Sequence, residues 1–155
     1  MQINHANIVT TDMERSLAFY EGILGLTRIF EEELSGEWFE ELTNLPKAVA
    51  RCVFLSGDKG TGTRIELLQY IKPAGGMVPN NTLPNTQGLR HIAFEVKKIS
   101  DLFDKLVEAG VPVKSAPVEV PFPVVGMKKS LFYAVDPDGV IVEFAEYKKM
   151  KESVA

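Results

Sequence analysis

Two histidines, His5 and His91, stand at the start of apolar strand patterns, and each pattern runs on into an amphipathic helix pattern. Further along, each is followed by a strand pattern carrying one glutamate among apolar residues: Arg64-Ile65-Glu66-Leu67-Leu68 and Val140-Ile141-Val142-Glu143-Phe144. Imidazole nitrogen and carboxylate oxygen are preferred donors for first-row divalent metals. If the two stretches are copies of one unit, His5, Glu66, His91 and Glu143 are expected to converge as a two-His, two-Glu site for a divalent transition metal. Taken singly, each residue has a plainer reading: a glutamate facing solvent, or a histidine hydrogen-bonded in the core. An unpaired carboxylate on a largely buried strand needs a cationic partner or a raised pKa. The recurrence of all four residues at matched positions therefore favours the metal.

The elements that must position these residues repeat in order. Residues 2–9 read as a strand, followed by a helix starting at Thr11 with Glu14 as its capping-box partner, an apolar face of Leu17, Tyr20 and Leu24, and Gly25 as the stop. Leu89–Val96 reads as the matching strand, with Ser100 as N-cap, an apolar stripe of Leu102, Phe103, Leu106 and Val107, and Gly110 as the stop. His5 to Gly25 spans 20 positions (25 − 5) and His91 to Gly110 spans 19 (110 − 91), which argues for an internal duplication. Strands are predicted at Leu26–Leu34, Ala48–Ser56 and Arg64–Ile71, with a glycine-rich turn over Gly57–Thr63 joining the last two. In the second half they are predicted at Val111–Val118, Ser130–Val135 and Val140–Tyr147, with Asp136-Pro137-Asp138-Gly139 as the turn.

The organisation is thus α+β, a single domain over 1–155 built from tandem βαβββ modules. The first spans 1–71 and the second 88–148, with a proline-, glycine- and asparagine-rich linker at 72–87 and a polar tail after Tyr147. The first module carries an extra segment, Ser35–Lys47, with Trp38 and Phe39 either roofing a pocket or forming a short helix over one end of the core. On the strand from Arg64, alternation puts Arg64, Leu68 and Tyr70 on the face of Glu66. On the last strand it puts Ile141, Ala145 and Tyr147 with Glu143. Trp38, Phe39, Tyr70, Phe122 and Met127 are candidates to shape a substrate pocket, with core packing as the competing explanation.

Hydrophobic residues make up 45% of the 155, enough for a packed core. The net charge of −4 and the scattered lysines and arginines leave no footprint for nucleic acid, so a small molecule is the expected partner. Cys52, the only cysteine, excludes an intrachain disulfide and reads as a small core residue. No apolar stretch approaches the roughly 18 residues of a membrane helix, and polar Asn4, His5 and Asn7 occupy the place of a signal peptide's apolar region. A cytoplasmic protein without membrane contact is expected.

His5-Ala6-Asn7-Ile8-Val9, the run from Asp12 to Tyr20, Leu24-Gly25-Leu26, Arg90-His91-Ile92-Ala93-Phe94 and Asp136 through Glu143 together resemble the vicinal oxygen chelate superfamily over nearly the whole chain. That group includes glyoxalase I, methylmalonyl-CoA epimerase, extradiol dioxygenases and fosfomycin resistance proteins. The resemblance implies tandem βαβββ modules whose sheets curl into a cupped half-barrel around a divalent metal: nickel, cobalt, zinc, manganese or iron. It also implies a homodimer. His5, Glu66, His91 and Glu143 match the four-ligand set of glyoxalase I and of epimerases of this group, whereas dioxygenases and fosfomycin proteins typically use two histidines and the last glutamate. Val9 and Tyr70 stand where glyoxalase I commonly has an arginine and an asparagine that help hold glutathione. Val125-Gly126-Met127-Lys128 stands where epimerases carry a glycine-histidine stretch.

The implied function is that of a metal-dependent isomerase, epimerase or lyase acting on a small carbonyl or acyl-thioester substrate through a metal-bound enolate, with Glu143 or Glu66 as the catalytic base. Two alternatives remain open at this point: an Fe(II)-dependent dioxygenase of the same fold, and a drug- or metabolite-binding protein without turnover.

Overall fold

The computed structural model of the protein describes residues 1–57, 62–76 and 82–150. The chain divides into two compact units, Met1–Pro79 and Asn80–Ala155. The first contains β1 (His5–Val9), α1 (Met13–Leu17) continued by a π-helical turn over Ala18–Ile23, β2 (Thr27–Ser35), α2 (Glu37–Thr43), β3 (Val49–Ser56) and β4 (Arg64–Lys72). The second contains β5 (His91–Glu95), α3 (Ile99–Glu108), β6 (Val118–Glu119), β7 (Met127–Val135) and β8 (Ile141–Lys149).

Each unit builds one four-stranded mixed sheet, in the orders β1-β4-β3-β2 and β5-β8-β7-β6. The first strand of each lies parallel to the last and the remaining pairs are antiparallel. The fold is α+β, as the patterning predicts, because each sheet buries one face under a helical segment; on α3 Ile99 and Leu106 are buried, whereas Val107 of the predicted stripe is exposed. In the first unit Ile8, Val53, Leu55, Ile65 and Leu67 are buried on one side of the sheet, and Met13, Leu17, Phe19 and Tyr20 are buried on the helical segment. In the second, Phe132, Ala134, Val142 and Phe144 form the corresponding face, and Phe103 of α3 meets Phe132 edge-on at 5.3 Å. The other face of each sheet carries the histidine and the glutamate.

The helix stops fall at Gly25 and Gly110, which take φ of 77° and 73°, the left-handed conformation a glycine adopts without a Cβ clash. The helix starts differ from expectation. Asp12, not Thr11, caps α1, its carboxylate accepting from the Arg15 amide at 3.1 Å. A carboxylate is the better acceptor there, and it lies at the positive end of the helix. In the second unit the cap position falls at Lys98 rather than Ser100, with no side-chain cap at all.

The stretch Val111–Val118 is not a continuous strand. Pro112 and Pro117 lack amide donors, so pairing is confined to Val113 opposite Ala134 and to the short β6. β7 begins three residues before Ser130, at Met127, after a tight turn in which Val125 and Gly126 both have positive φ. β8 carries the last strand past Tyr147 to Lys149. The predicted turn at Asp136–Gly139 forms, with Asp136 Oδ1 accepting from the amides of Asp138 and Val140 at 2.9 and 2.7 Å. Within the segment Ser35–Lys47, Glu37–Thr43 forms α2, and Phe39 is buried against Ala48 and Ala50 while Trp38 is exposed. Most of the expected turn at Gly57–Thr63, part of the linker and the end of the polar tail lie outside the described residues.

Candidate metal centre

Strand register decides which side chains meet in each unit. In the first, the parallel ladder pairs His5 with Arg64 and Asn7 with Glu66, and the antiparallel ladder pairs Phe54 with Glu66. Residues paired across a ladder share a face, so His5, Asn7, Phe54, Arg64 and Glu66 are neighbours. His5 Nε2 lies 3.4 Å from Glu66 Oε2. In the second unit Ala93 pairs with Glu143, and Glu143 with Tyr133. His91 Nε2 lies 3.4 Å from Glu143 Oε2. The four predicted residues are therefore gathered as two pairs of the same kind and the same spacing, one in each unit. Among the described residues, no group of three or more His, Cys, Asp and Glu side chains is placed to hold a metal ion.

The pair geometry suits a shared cation. Two donors bonded at about 2.1 Å to one divalent ion stand roughly 3.0–3.4 Å apart at bond angles of about 90–110°. A separation of 3.4 Å is long for a direct N–H···O bond. The Nδ1 edge of His5 lies 3.0 Å from Asn4 Oδ1. An Nδ1–H donating there leaves the Nε2 lone pair turned toward the Glu66 carboxylate, two electron-rich atoms that a cation between them would reconcile. The residues present thus fit a divalent metal held by imidazole and carboxylate.

Exposure divides the donors into two kinds. The imidazoles of His5 and His91 keep 39% and 41% of their side-chain surface, whereas Glu66 keeps 15% and Glu143 only 7%. The two histidines thus open to solvent beside sunken carboxylates rather than packing into the core. Each imidazole leans on an aromatic ring whose centroid is 5.4 Å away, Phe54 for His5 and Tyr133 for His91.

The outer shells of the two carboxylates differ. Glu66 Oε2 accepts from Asn7 Nδ2 at 2.9 Å, and its Oε1 faces the Cys52 thiol at 3.6 Å. Burial, and then the Glu66 charge, push the Cys52 thiol up to about 12, so it stays a neutral donor at physiological pH. Glu143 Oε1 instead accepts from Lys129 Nζ at 2.6 Å, and that hydrogen bond raises the lysine above its ordinary value. Lys129 also lies over the Tyr147 ring at 5.6 Å.

Neither Asn7 nor Lys129 was singled out by sequence. Asn7 was within reach, since it has the parity of His5 one turn of alternation away. Lys129 was not, because the predicted strand began after it. Arg64 completes the first cluster: its guanidinium carbon is 5.8 Å from the Phe54 centroid, and its buried Nε has no hydrogen-bond partner. Among the aromatic candidates, Tyr70 stacks on Phe39 at 6.0 Å, Trp38 and Phe122 are exposed, and Met127 is half-buried at the start of β7.

Among the described residues no helix is long and apolar enough to cross a membrane. The sequence model of the Glyoxalase/Bleomycin resistance protein/Dioxygenase superfamily matches residues 2–144. The uncharacterized protein YwkD of Bacillus subtilis (strain 168) is 30% identical over 146 residues, 93% of this chain and 95% of that one. Among solved structures, a glyoxalase family protein from Bacillus cereus superposes with a TM-score of 0.80 at 20% identity, covering 95% of this chain and 94% of its own. The trypanothione-dependent glyoxalase I of Leishmania major gives 0.63 at 20% identity, covering 94% and 86%. A glyoxalase family protein from Enterococcus faecalis gives 0.64 at 23% identity, covering 94% and 97%. With a family match over almost the full length and a fold shared with glyoxalases, the chain belongs to the glyoxalase/bleomycin resistance protein/dioxygenase superfamily.

Proposed function

We propose that this protein is a divalent-metal-dependent isomerase, epimerase or lyase that moves a proton at the carbon next to a carbonyl in a small carbonyl or acyl-thioester substrate. The observation that carries the reading is the duplicated pair: an imidazole and a carboxylate 3.4 Å apart in each unit, with no other histidine in the chain. His5, Glu66, His91 and Glu143 would hold the metal. When bound, it supplies Lewis-acid polarisation of the substrate carbonyl, which lowers the cost of removing the adjacent proton.

The chain's own residues divide the remaining work. With both histidines committed as donors, Glu66 and Glu143 are the carboxylates left to accept and return the proton. Asn7 steers one oxygen of Glu66 toward the His5 edge, and the protonated Cys52 thiol faces the other without adding charge. Lys129 anchors Glu143 Oε1 and leaves Oε2 turned to His91. On this reading the substrate meets each pair at its half-exposed imidazole.

Metal analysis of the purified chain tests the first part: about one metal per chain is expected, lost in His91→Ala and in His5→Ala. Deuterium exchange from heavy water into methylmalonyl-CoA, and into the glutathione hemithioacetal of methylglyoxal, tests the second. Glu143→Gln is expected to stay folded and to abolish whichever exchange the wild type supports. A metal-free wild type after reloading with each candidate ion would sink the reading.

A further inference from the structure

We propose that Arg64 binds a carboxylate of the substrate, so that the molecule taken by this site carries an acid group beside its reacting carbonyl. The proposal rests on the reading above for where the rest of the substrate lies, but the case for the anion comes from Arg64 itself.

Three arginines of the first sheet allow a comparison. Arg28 pairs with Glu21 and Glu31, and Arg51 pairs with Glu14 and Glu31. Arg64, on β4, has no carboxylate partner among the described residues. Glu66, two residues away on the same face, gives its oxygens to His5, Asn7 and Cys52 instead. The Arg64 side chain is half-buried, its Nε is shut off from water without an acceptor, and its guanidinium lies over the Phe54 ring. The Nε–H of this half-buried cation loses water and gains no acceptor, which leaves it without the partner that buried polar groups ordinarily have. Packing does not demand the charge, because counting back two residues from Glu143 on β8 reaches Ile141 at the corresponding place.

Position ties this cation to the candidate centre. Arg64 is the ladder partner of His5, on a neighbouring strand about 5 Å away, and both side chains rest on Phe54. An anion held by Arg64 therefore lies within the span of a small molecule that also reaches the His5–Glu66 pair. The planar, always-charged guanidinium selects a flat two-oxygen group, which is the shape of a carboxylate.

Calorimetric titration of the full chain with succinate and with succinamate, in which one carboxylate becomes a neutral amide, tests the assignment on cobalt-loaded and on chelator-stripped protein. The wild type is expected to bind succinate at least about tenfold more tightly, the worth of one charge-assisted contact. Arg64→Met is expected to bring the two ligands within about twofold, and Arg64→Lys to keep part of the preference. No preference in the wild type, or an undiminished preference in Arg64→Met, overturns the proposal. If Arg64→Met does not fold, Arg64→Gln takes its place with the same two outcomes. An Arg64-dependent preference in a protein that takes up no cobalt would remove the metal and leave the acid-binding arginine. Cobalt uptake without the preference would do the reverse.

Discussion

The two units place histidine and glutamate alike and surround them differently. In both, the pair sits on the first and last strands of a four-stranded sheet, joined by a parallel ladder, at the same 3.4 Å. Counting along the ladders from Glu66 and Glu143 shows what changed. Asn7 corresponds to Ala93, Arg64 to Ile141, Phe54 to Tyr133, Cys52 to Leu131 and Ala50 to Lys129. The backbone repeat fixes where the donors stand, and the variable neighbours fix the charge around each. Glu66 is dressed by neutral donors and Glu143 by a cation.

The largest separation between the halves is expected at α2, which has no counterpart among the described residues of the second. Phe39 covers Ala48 and Ala50 and stacks on Tyr70, at the end of the sheet where the second unit has Lys129 beside Tyr147. Phe39→Ala is expected to destabilise the protein by about 3–5 kcal/mol, as for other buried aromatic truncations. Urea unfolding checks this, and a loss below about 1 kcal/mol would mean that α2 is an ornament rather than a plug.

Lys129→Met sharpens the comparison at the carboxylates by giving Glu143 a neutral neighbour of similar length. Because Glu143 keeps only 7% of its surface and Lys129 15%, removing the ammonium strands a buried charge. A loss of about 1–3 kcal/mol in metal-free protein is expected, below the cost for a fully buried pair because the lysine retains contact with water. Chemical denaturation of stripped wild type and variant measures it. The corresponding change around Glu66, Asn7→Ala, removes a neutral donor and should cost less.

The smallest effect separates the two helix starts. Asp12→Ala should cost about 1 kcal/mol by losing the bond to the Arg15 amide, whereas Lys98→Ser should gain up to about 1 kcal/mol by supplying a cap that α3 lacks. Thermal melts reading opposite signs would support the distinction, and equal signs would erase it.

What the sequence made legible follows from strand alternation. The partition of Glu66 from Ile65 and Leu67, and of Glu143 from Val142 and Phe144, needs only period two. The repeat of strand, helix and glycine stop needs only spacing. The strand expected at 111–118 does not form as one piece, because its valines carry the apolar signal whereas Pro112 and Pro117 remove amides that a ladder requires. At the first helix start Thr10, Thr11 and Asp12 all offer side-chain oxygens, so local sequence does not choose among them. Thr10 turns its hydroxyl to the Asp12 carbonyl and to Ser16, leaving the carboxylate to the helix. Lys129 was hidden for a longer-range reason. Its meeting with Glu143 depends on the β7–β8 register, which places Lys129 opposite Tyr147 and Tyr133 opposite Glu143. Nothing local to Lys129 distinguishes it from Lys128, which faces away toward Glu119.

The bulge between Arg28 and Phe30, where β2 carries a register shift against β3, bears on how this chain can change in length. An extra residue there is absorbed by the outer strand, and the ladders between β3, β4 and β1 keep their phase. A residue deleted between Arg64 and Glu66 has no such outlet. It would turn the carboxylate into the apolar core and bring Leu67 out in its place. Insertions and deletions are therefore tolerable at the rim strand and ruinous in the strand that holds the acid, so related sequences should vary in length at the former and hold their count at the latter.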